Sequence, residues 1–181
     1  MLWVILIIVL VIVLFVVKTY NDLVGLRNKV HDQFSQIDVQ LKRRFDLIPN
    51  LVETVKGYAK HESETLEKVI QSRNNYANAK TDSEKVEAAN EMSRGVMNIM
   101  ALAESYPDLK ANTNFIDLQN QLKEVEDKIS YARQFYNDSV LMYNNKVEMI
   151  PSNIVASVFG FKKETFFEAD EKERENVKVK F

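Results

Sequence analysis

The chain has 181 residues, with 24 Lys and Arg against 26 Asp and Glu, for a formal net charge of -2. That near balance argues against a general nucleic-acid binder, which would be clearly basic, and the length is that of one domain. The absence of Cys excludes disulfides, thiol catalysis, thiolate metal sites and a lipidated N-terminal Cys, while 4 Gly and 3 Pro favour long helices over a turn-rich fold.

"LWVILIIVLVIVLFVV", Leu2 to Val17, is an unbroken apolar run without charge. With Met1 it reaches the short end of the roughly 17–25 residues that span a bilayer. Lys18 can snorkel and Tyr20 can sit in the headgroup layer. No basic region precedes the run and no small-x-small site follows it, so the expectation is a retained single-pass anchor in the cell membrane rather than a cleaved signal peptide. Lys18, Arg27 and Lys29 follow the run, and only the terminal amine precedes it. The positive-inside rule leans the bulk of the chain toward the cytoplasm and leaves the extracytoplasmic side open.

Four helical patterns follow. Leu23, Leu26, Val30, Phe34, Ile37, Leu41 and Phe45 recur in steps of three and four. A second pattern runs from about Pro49 to Asn78, with Val52, Val55, Ala59, Leu66, Val69 and Tyr76 inward. Thr81 with Glu84 three residues later is a capping box that opens a third helix. The inward face of that helix is Val86, Ala89, Ser93, Val96, Met100 and Ala103, and it ends before Pro107. Asn and Thr residues in "ANTN" offer an N-cap for the fourth. There Phe115, Leu122, Ile129, Tyr136 and Tyr143 fall seven apart, interleaved with Leu118, Val125, Ala132 and Ser139, a seam suited to knobs-into-holes packing up to about Met149. The expected fold is all-α: a transmembrane anchor (1–18), an antiparallel up-down-up-down four-helix bundle with long helices (19–150), and an amphipathic tail (151–181).

"QIDVQLKRRFDLIPNLVETVKGY" places Gln36, Asp38, Arg43, Arg44, Asp46, Pro49 and Asn50 together. Arg43 and Arg44 would close the first helix against its dipole, Asp46 would cap the next, and Pro49 would fit in its first turn. The favoured expectation is a corner between antiparallel helices. The alternative is one kinked helix running through Pro49. The corner residues could also bind a partner.

The tail holds a short helix capped by Ser152 and stopped by Gly160. Ile154, Val155, Val158 and Phe159 share a face, and Phe161, Phe166 and Phe167 flank Lys162 and Lys163. This pattern fits a membrane-interfacial segment and equally a strip that docks on a groove of the bundle or of a neighbouring subunit. Val177, Val179 and Phe181 alternate with Lys, as an edge strand would.

Catalytic apparatus is not evident. A carboxylate-bridged di-metal bundle needs Glu-x-x-His on two helices, and His31 and His61 lack it. There is no Gly-rich phosphate loop, no G-x-S-x-G and no zinc motif. No catalytic residue, metal or cofactor is therefore expected.

The segments "YNDLVGLRNKV" at Tyr20, the Gln36 block with its D-L-I-P-N-L-V core, "YPDLKANTNFIDLQNQL" at Tyr106, "YNDSVLMYNNKVEMIPSNIVASVFGF" at Tyr136 and "FFEADE" at Phe166 resemble the LemA family of bacterial membrane proteins. The resemblance covers nearly the whole chain. It implies a membrane-anchored antiparallel four-helix bundle and implies no enzymatic activity, with relatives linked to envelope functions and one branch to shaping the magnetosome membrane. Some members carry a lipobox Cys before the Tyr-Asn, where this chain has Val17, Lys18 and Thr19. The functional expectation is a non-enzymatic scaffold or adaptor in the bacterial envelope that self-associates into a homo-oligomer and organises the lipid bilayer or a partner membrane protein, possessing no nucleic-acid role. The alternative is an enzyme or small-ligand sensor with a pocket lined by Gln36, Asp38 and Asn50.

Overall fold

The computed structural model describes residues 1–167, apart from the side chains of residues 82 and 83. The alternating residues Val177, Val179 and Phe181 lie outside the described residues, as does the end of the "FFEADE" segment. All regular structure among the described residues is helical: α1 (Leu2–Lys56), α2 (Ser63–Asn78), α3 (Asp82–Ala103), α4 (Pro107–Lys110), α5 (Thr113–Glu148) and α6 (Ser152–Val158). This is the expected all-α class. The described residues pack as two units, one of Met1–Ile37 with Tyr131–Phe167 and one of Asp38–Ser130.

The unit of residues 38–130 has an aliphatic core. Ile48, Leu51 and Val55 of α1 meet Leu66 and Val69 of α2, Met92 and Ile99 of α3, and Phe115 and Leu122 of α5. Asp38 contacts Tyr76 while Phe45 contacts Arg73, so the α1 segment and α2 run antiparallel. Asn75 with Glu91, and Val69 with Gly95, make α2 and α3 antiparallel too. Gly95 permits their close approach, because a Cβ there would lie 2.9 Å from Val69 Cγ2. The Thr81–Glu84 capping box forms as expected, and Asn112 Oδ1 accepts from the Phe115 amide at 3.0 Å at the start of α5. The inward face of α3 is rotated from the expected one. Met92 and Ile99 are fully buried, whereas Ser93, Val96 and Met100 are only partly covered.

The corner expected at Asp46–Pro49 does not form. α1 continues through Pro49 to Lys56, and the chain turns instead over residues 57–62. Proline has no amide to donate to the carbonyl four residues back, which normally breaks a helix. Here that carbonyl, of Phe45, accepts from Arg73 Nε of α2 at 3.2 Å, and the Arg73 guanidinium lies 3.8 Å from the centre of the Phe45 ring. The neighbouring helix fills the gap, so α1 continues. Asp46 is consequently no cap. Its exposed carboxylate lies 4.0 Å from Lys42 on the same helix.

In the other unit, Leu23, Val30 and Ile37 of α1, Tyr136, Val140 and Tyr143 of α5, and Val155 and Ala156 of α6 are buried. Asp22 pairs with Lys146 at 3.1 Å and Phe34 stacks edge-on with Tyr136, which makes these segments antiparallel. Gly160 stops α6 as expected, at φ 72°. Its amide donates to Ser157 O and that of Phe161 to Ala156 O, the paired bonds of a Schellman motif. Ser152 does not cap α6; its hydroxyl donates to the Met149 carbonyl at 2.8 Å. Leu2–Val17 is exposed along nearly its whole length, and α1 is long and apolar enough there to cross a membrane.

Candidate functional site

Arg44 occupies a core position of α1, on the stripe of Leu41, Ile48 and Leu51, and is 1% exposed. A guanidinium so placed loses its hydration and must be paired. Its Nη1 donates to Glu126 Oε2 of α5 at 2.7 Å and to the Ser93 hydroxyl of α3, and its Nη2 donates to the Ala89 carbonyl at 3.5 Å. The cluster ties α1 to α3 and α5. Beside it lies a half-open groove of about 420 Å³, walled by Val96, Met97, Met100 and Leu122 and rimmed by Glu126 and Asp127.

A second polar cluster centres on Asp38, which accepts from Tyr76 OH at 2.8 Å and from Lys85 Nζ at 3.2 Å. Burial of Tyr76, then its bond to the Asp38 carboxylate, raises the phenol well above its ordinary value. The Asp38 carboxylate is thus engaged by Tyr76 and Lys85, and Gln36 and Asn50 are exposed. Arg43 is exposed and lies 3.7 Å from Glu124, within the helix rather than at its end.

The tail residues divide into two sets. Val155, Phe161 and Phe167 are buried in their own unit, whereas Ile154, Val158, Phe159 and Phe166 are exposed. Lys163 pairs with Glu148 at 2.6 Å, and Lys162 is exposed. Residues 161–167 have no secondary structure, yet their backbone is held. Asn144 donates from Nδ2 to Glu164 O and accepts the Glu164 amide on Oδ1, both at 2.9 Å. Asn137 does the same for Phe167, at 3.0 and 2.8 Å, and Tyr136 OH donates to Thr165 O at 2.9 Å. Seven residues of helix rise about 10 Å and three extended residues span about 10 Å, so one heptad of α5 matches the step from Glu164 to Phe167. The strip lies antiparallel to α5. Arg27 covers the Phe161 ring at 5.2 Å and Arg133 the Phe167 ring at 4.8 Å. The sequence reading missed both asparagines and Arg73. Its available signal was two Asn one heptad apart beside the aromatic seam.

Among the described residues no group of three or more His, Cys, Asp or Glu could hold a metal ion.

The fold defines a class: a membrane-associated all-α protein with one long apolar N-terminal helix. The LemA family model matches residues 33–181, and the chain belongs to the LemA family. It is 29% identical over 160 residues to Protein LemA of Metamycoplasma hominis, covering 87% of this chain and 72% of that protein. It is also 31% identical over 70 residues to Magnetosome protein MamQ 2 of Paramagnetospirillum magneticum, covering 39% of this chain and 26% of that protein. Magnetosome protein MamQ of Magnetospirillum gryphiswaldense matches at 29% over 69 residues, 38% of this chain and 25% of that protein.

Proposed function

We propose that the protein is a non-enzymatic, membrane-anchored scaffold or adaptor that self-associates and organises the bilayer or a partner membrane protein. The observation that carries this reading is α1, a single helix in which the apolar run Leu2–Val17 continues without a break into residues that pack as a core. An anchor without a linker holds the packed residues of its own unit beside the membrane. Anchoring also removes translational freedom, so that weak contacts between copies suffice. The likeness to magnetosome proteins adds support. Mass photometry of the full-length protein in detergent tests it. Particles larger than one protomer are expected, and a single 21.0 kDa protomer per micelle at micromolar concentration would count against self-association. Cysteines introduced at Lys80 and near the C-terminus report the side: protection from an impermeant thiol reagent in intact cells is expected for a cytoplasmic bulk.

The groove beside Arg44 favours a second reading, small-ligand sensing, because apolar walls and the Glu126 and Asp127 carboxylates converge there. Thermal stabilisation by a small apolar cation, lost in Asp127→Asn, would support it over the scaffold.

A further inference from the structure

Met149, Ile150, Ile154, Val158 and Phe159 are 51–82% exposed, an apolar patch at the end of α5 and along the outer face of α6. Ile154 and Val158 are four residues apart and share one side of α6, while Val155 and Ala156 face the unit's interior. Isolated exposed apolar residues are ordinary, but a cluster of five is not.

The patch has a definite level relative to the apolar run. The Phe159 ring packs on Tyr20, with ring centroids 4.9 Å apart, and Phe161 packs on the same ring at 5.6 Å. Tyr20 lies three residues beyond Val17, a rise of about 4.5 Å. Thr19 is 3% exposed and Val16 is partly covered, so packed residues of this unit reach the last turn of the run. The hydrocarbon core of a bilayer is about 30 Å thick and the headgroup layers add roughly 5–7 Å on each side. Leu2 to Tyr20 is 19 helical residues, about 28 Å. Phe159 therefore stands at the edge of the hydrocarbon when the run spans the membrane.

We infer that residues 149–159 form a foot that lies in the headgroup layer of the same bilayer the anchor crosses, with Ile154, Val158 and Phe159 inserted among the lipids. Lipid is the occupant because the patch is continuous with the membrane-spanning surface through the Tyr20–Phe159 contact, and because it lies at headgroup depth. Aromatic and aliphatic side chains beside a basic residue, here Lys162, are the composition such a layer accepts. The strip bound to Asn137 and Asn144 follows α6 directly and fastens the foot to α5. With two points of attachment, the anchor and the foot, the unit that holds them is fixed in tilt and in rotation about the anchor axis. This rests on the anchor reading but not on self-association.

The chain has no native Cys, so single-cysteine variants of the full-length protein carry one environment-sensitive fluorophore each. They are reconstituted in phosphatidylcholine vesicles containing a lipid spin-labelled near the headgroup. Val17→Cys reports the anchor, Ile154→Cys and Val158→Cys the foot, and Phe135→Cys a site about 21 Å along α5 from Met149. All four side chains are exposed, so the labels leave the packing intact. The expected result is loss of emission at positions 17, 154 and 158 and none at 135. Quenching at 17 with water-like emission at 154 and 158 overturns the foot and leaves the anchor standing. Blue-shifted emission at 154 and 158 without lipid quenching also overturns it, since protein, not lipid, then covers the patch. No quenching at 17 removes the anchor and the inference together.

Discussion

At Pro49 and again in the strip of residues 161–167 the backbone lacks its helical partners, and side chains from an adjacent helix supply the missing bonds. At Pro49 a single carbonyl, that of Phe45, loses its partner, and one long side chain, Arg73, reaches it from α2. In the strip of residues 161–167 the whole backbone is irregular, and two short amides, Asn137 and Asn144, each supply one donor and one acceptor. The difference follows from what is missing. A lone acceptor needs only a donor, which a guanidinium provides, whereas an extended residue presents an N–H and a C=O together and is matched by a primary amide. The first solution preserves a helix and the second substitutes for a strand.

The largest effect is expected where most bonds are supplied. Asn137→Ala with Asn144→Ala removes four hydrogen bonds worth about 1 kcal/mol each. Amide exchange at Glu164 and Phe167 should accelerate about 30-fold per asparagine removed, taking 1.4 kcal/mol as tenfold. Exchange of buried amides around Leu51 should be unchanged. An unaltered rate at Glu164 would mean that burial of Phe161 and Phe167 alone holds the strip.

Arg73→Ala leaves one part-buried carbonyl without its donor and removes the contact with the Phe45 ring, at a cost of about 2 kcal/mol. The comparison sharpens in a double-mutant cycle with Pro49→Ala. An alanine at that position has an amide that can bond Phe45 O within the helix, so the cost of losing Arg73 should shrink by about 1 kcal/mol in that background. Strict additivity in denaturant titrations would show that Arg73 does not substitute for the proline's missing donor.

Gly160→Ala forces a Cβ into the left-handed conformation that ends α6, at about 1 kcal/mol. Nothing from elsewhere in the fold lies within 4 Å of that Cβ, so the penalty comes from the residue's own backbone. Amide exchange of Phe161 should speed up, while the midpoint of global unfolding moves by only a few degrees.

Helix spacing in the sequence reveals most of the fold. The seam from Phe115 to Tyr143 is buried as its heptads require, and the Thr81–Glu84 box and the Gly160 stop form where local chemistry places them. Local chemistry was misleading at Pro49, because the rule that proline ends a helix assumes an unmatched carbonyl, and Arg73 lies 28 residues beyond Phe45. Arg44 misled for a similar reason. Its basic neighbours suggested a helix end, yet its spacing from Leu41 and Ile48 is that of the core, and its partner Glu126 is 82 residues away. Among the tail aromatics, sequence could not separate Phe161 and Phe167 from Phe159 and Phe166. That division depends on which strip residues meet the asparagines.

Tyr76 and Asp38 provide a contact between two side chains, with no backbone group left over, and the smallest effect is expected there. Tyr76→Phe removes one hydrogen bond, but the Asp38 side chain is 39% exposed and keeps Lys85, so the loss at neutral pH should be about 1 kcal/mol or less. The alkaline limb is more informative. Burial and then the Asp38 carboxylate raise the phenol above its ordinary value of about 10, so the folded state retains a proton that the unfolded chain releases. The stabilisation is complete below pH 10 and is lost as pH rises from there toward the folded value. Burial raises Tyr106 and Tyr143 as well, so the wild-type loss includes their titration too. Tyr76→Phe should flatten the stability–pH slope above pH 10 without abolishing it. An unchanged slope in urea titrations at pH 9 and 11 would place the Tyr76 hydroxyl in water and dissolve the contrast between side chains that complete a backbone and those that only meet each other.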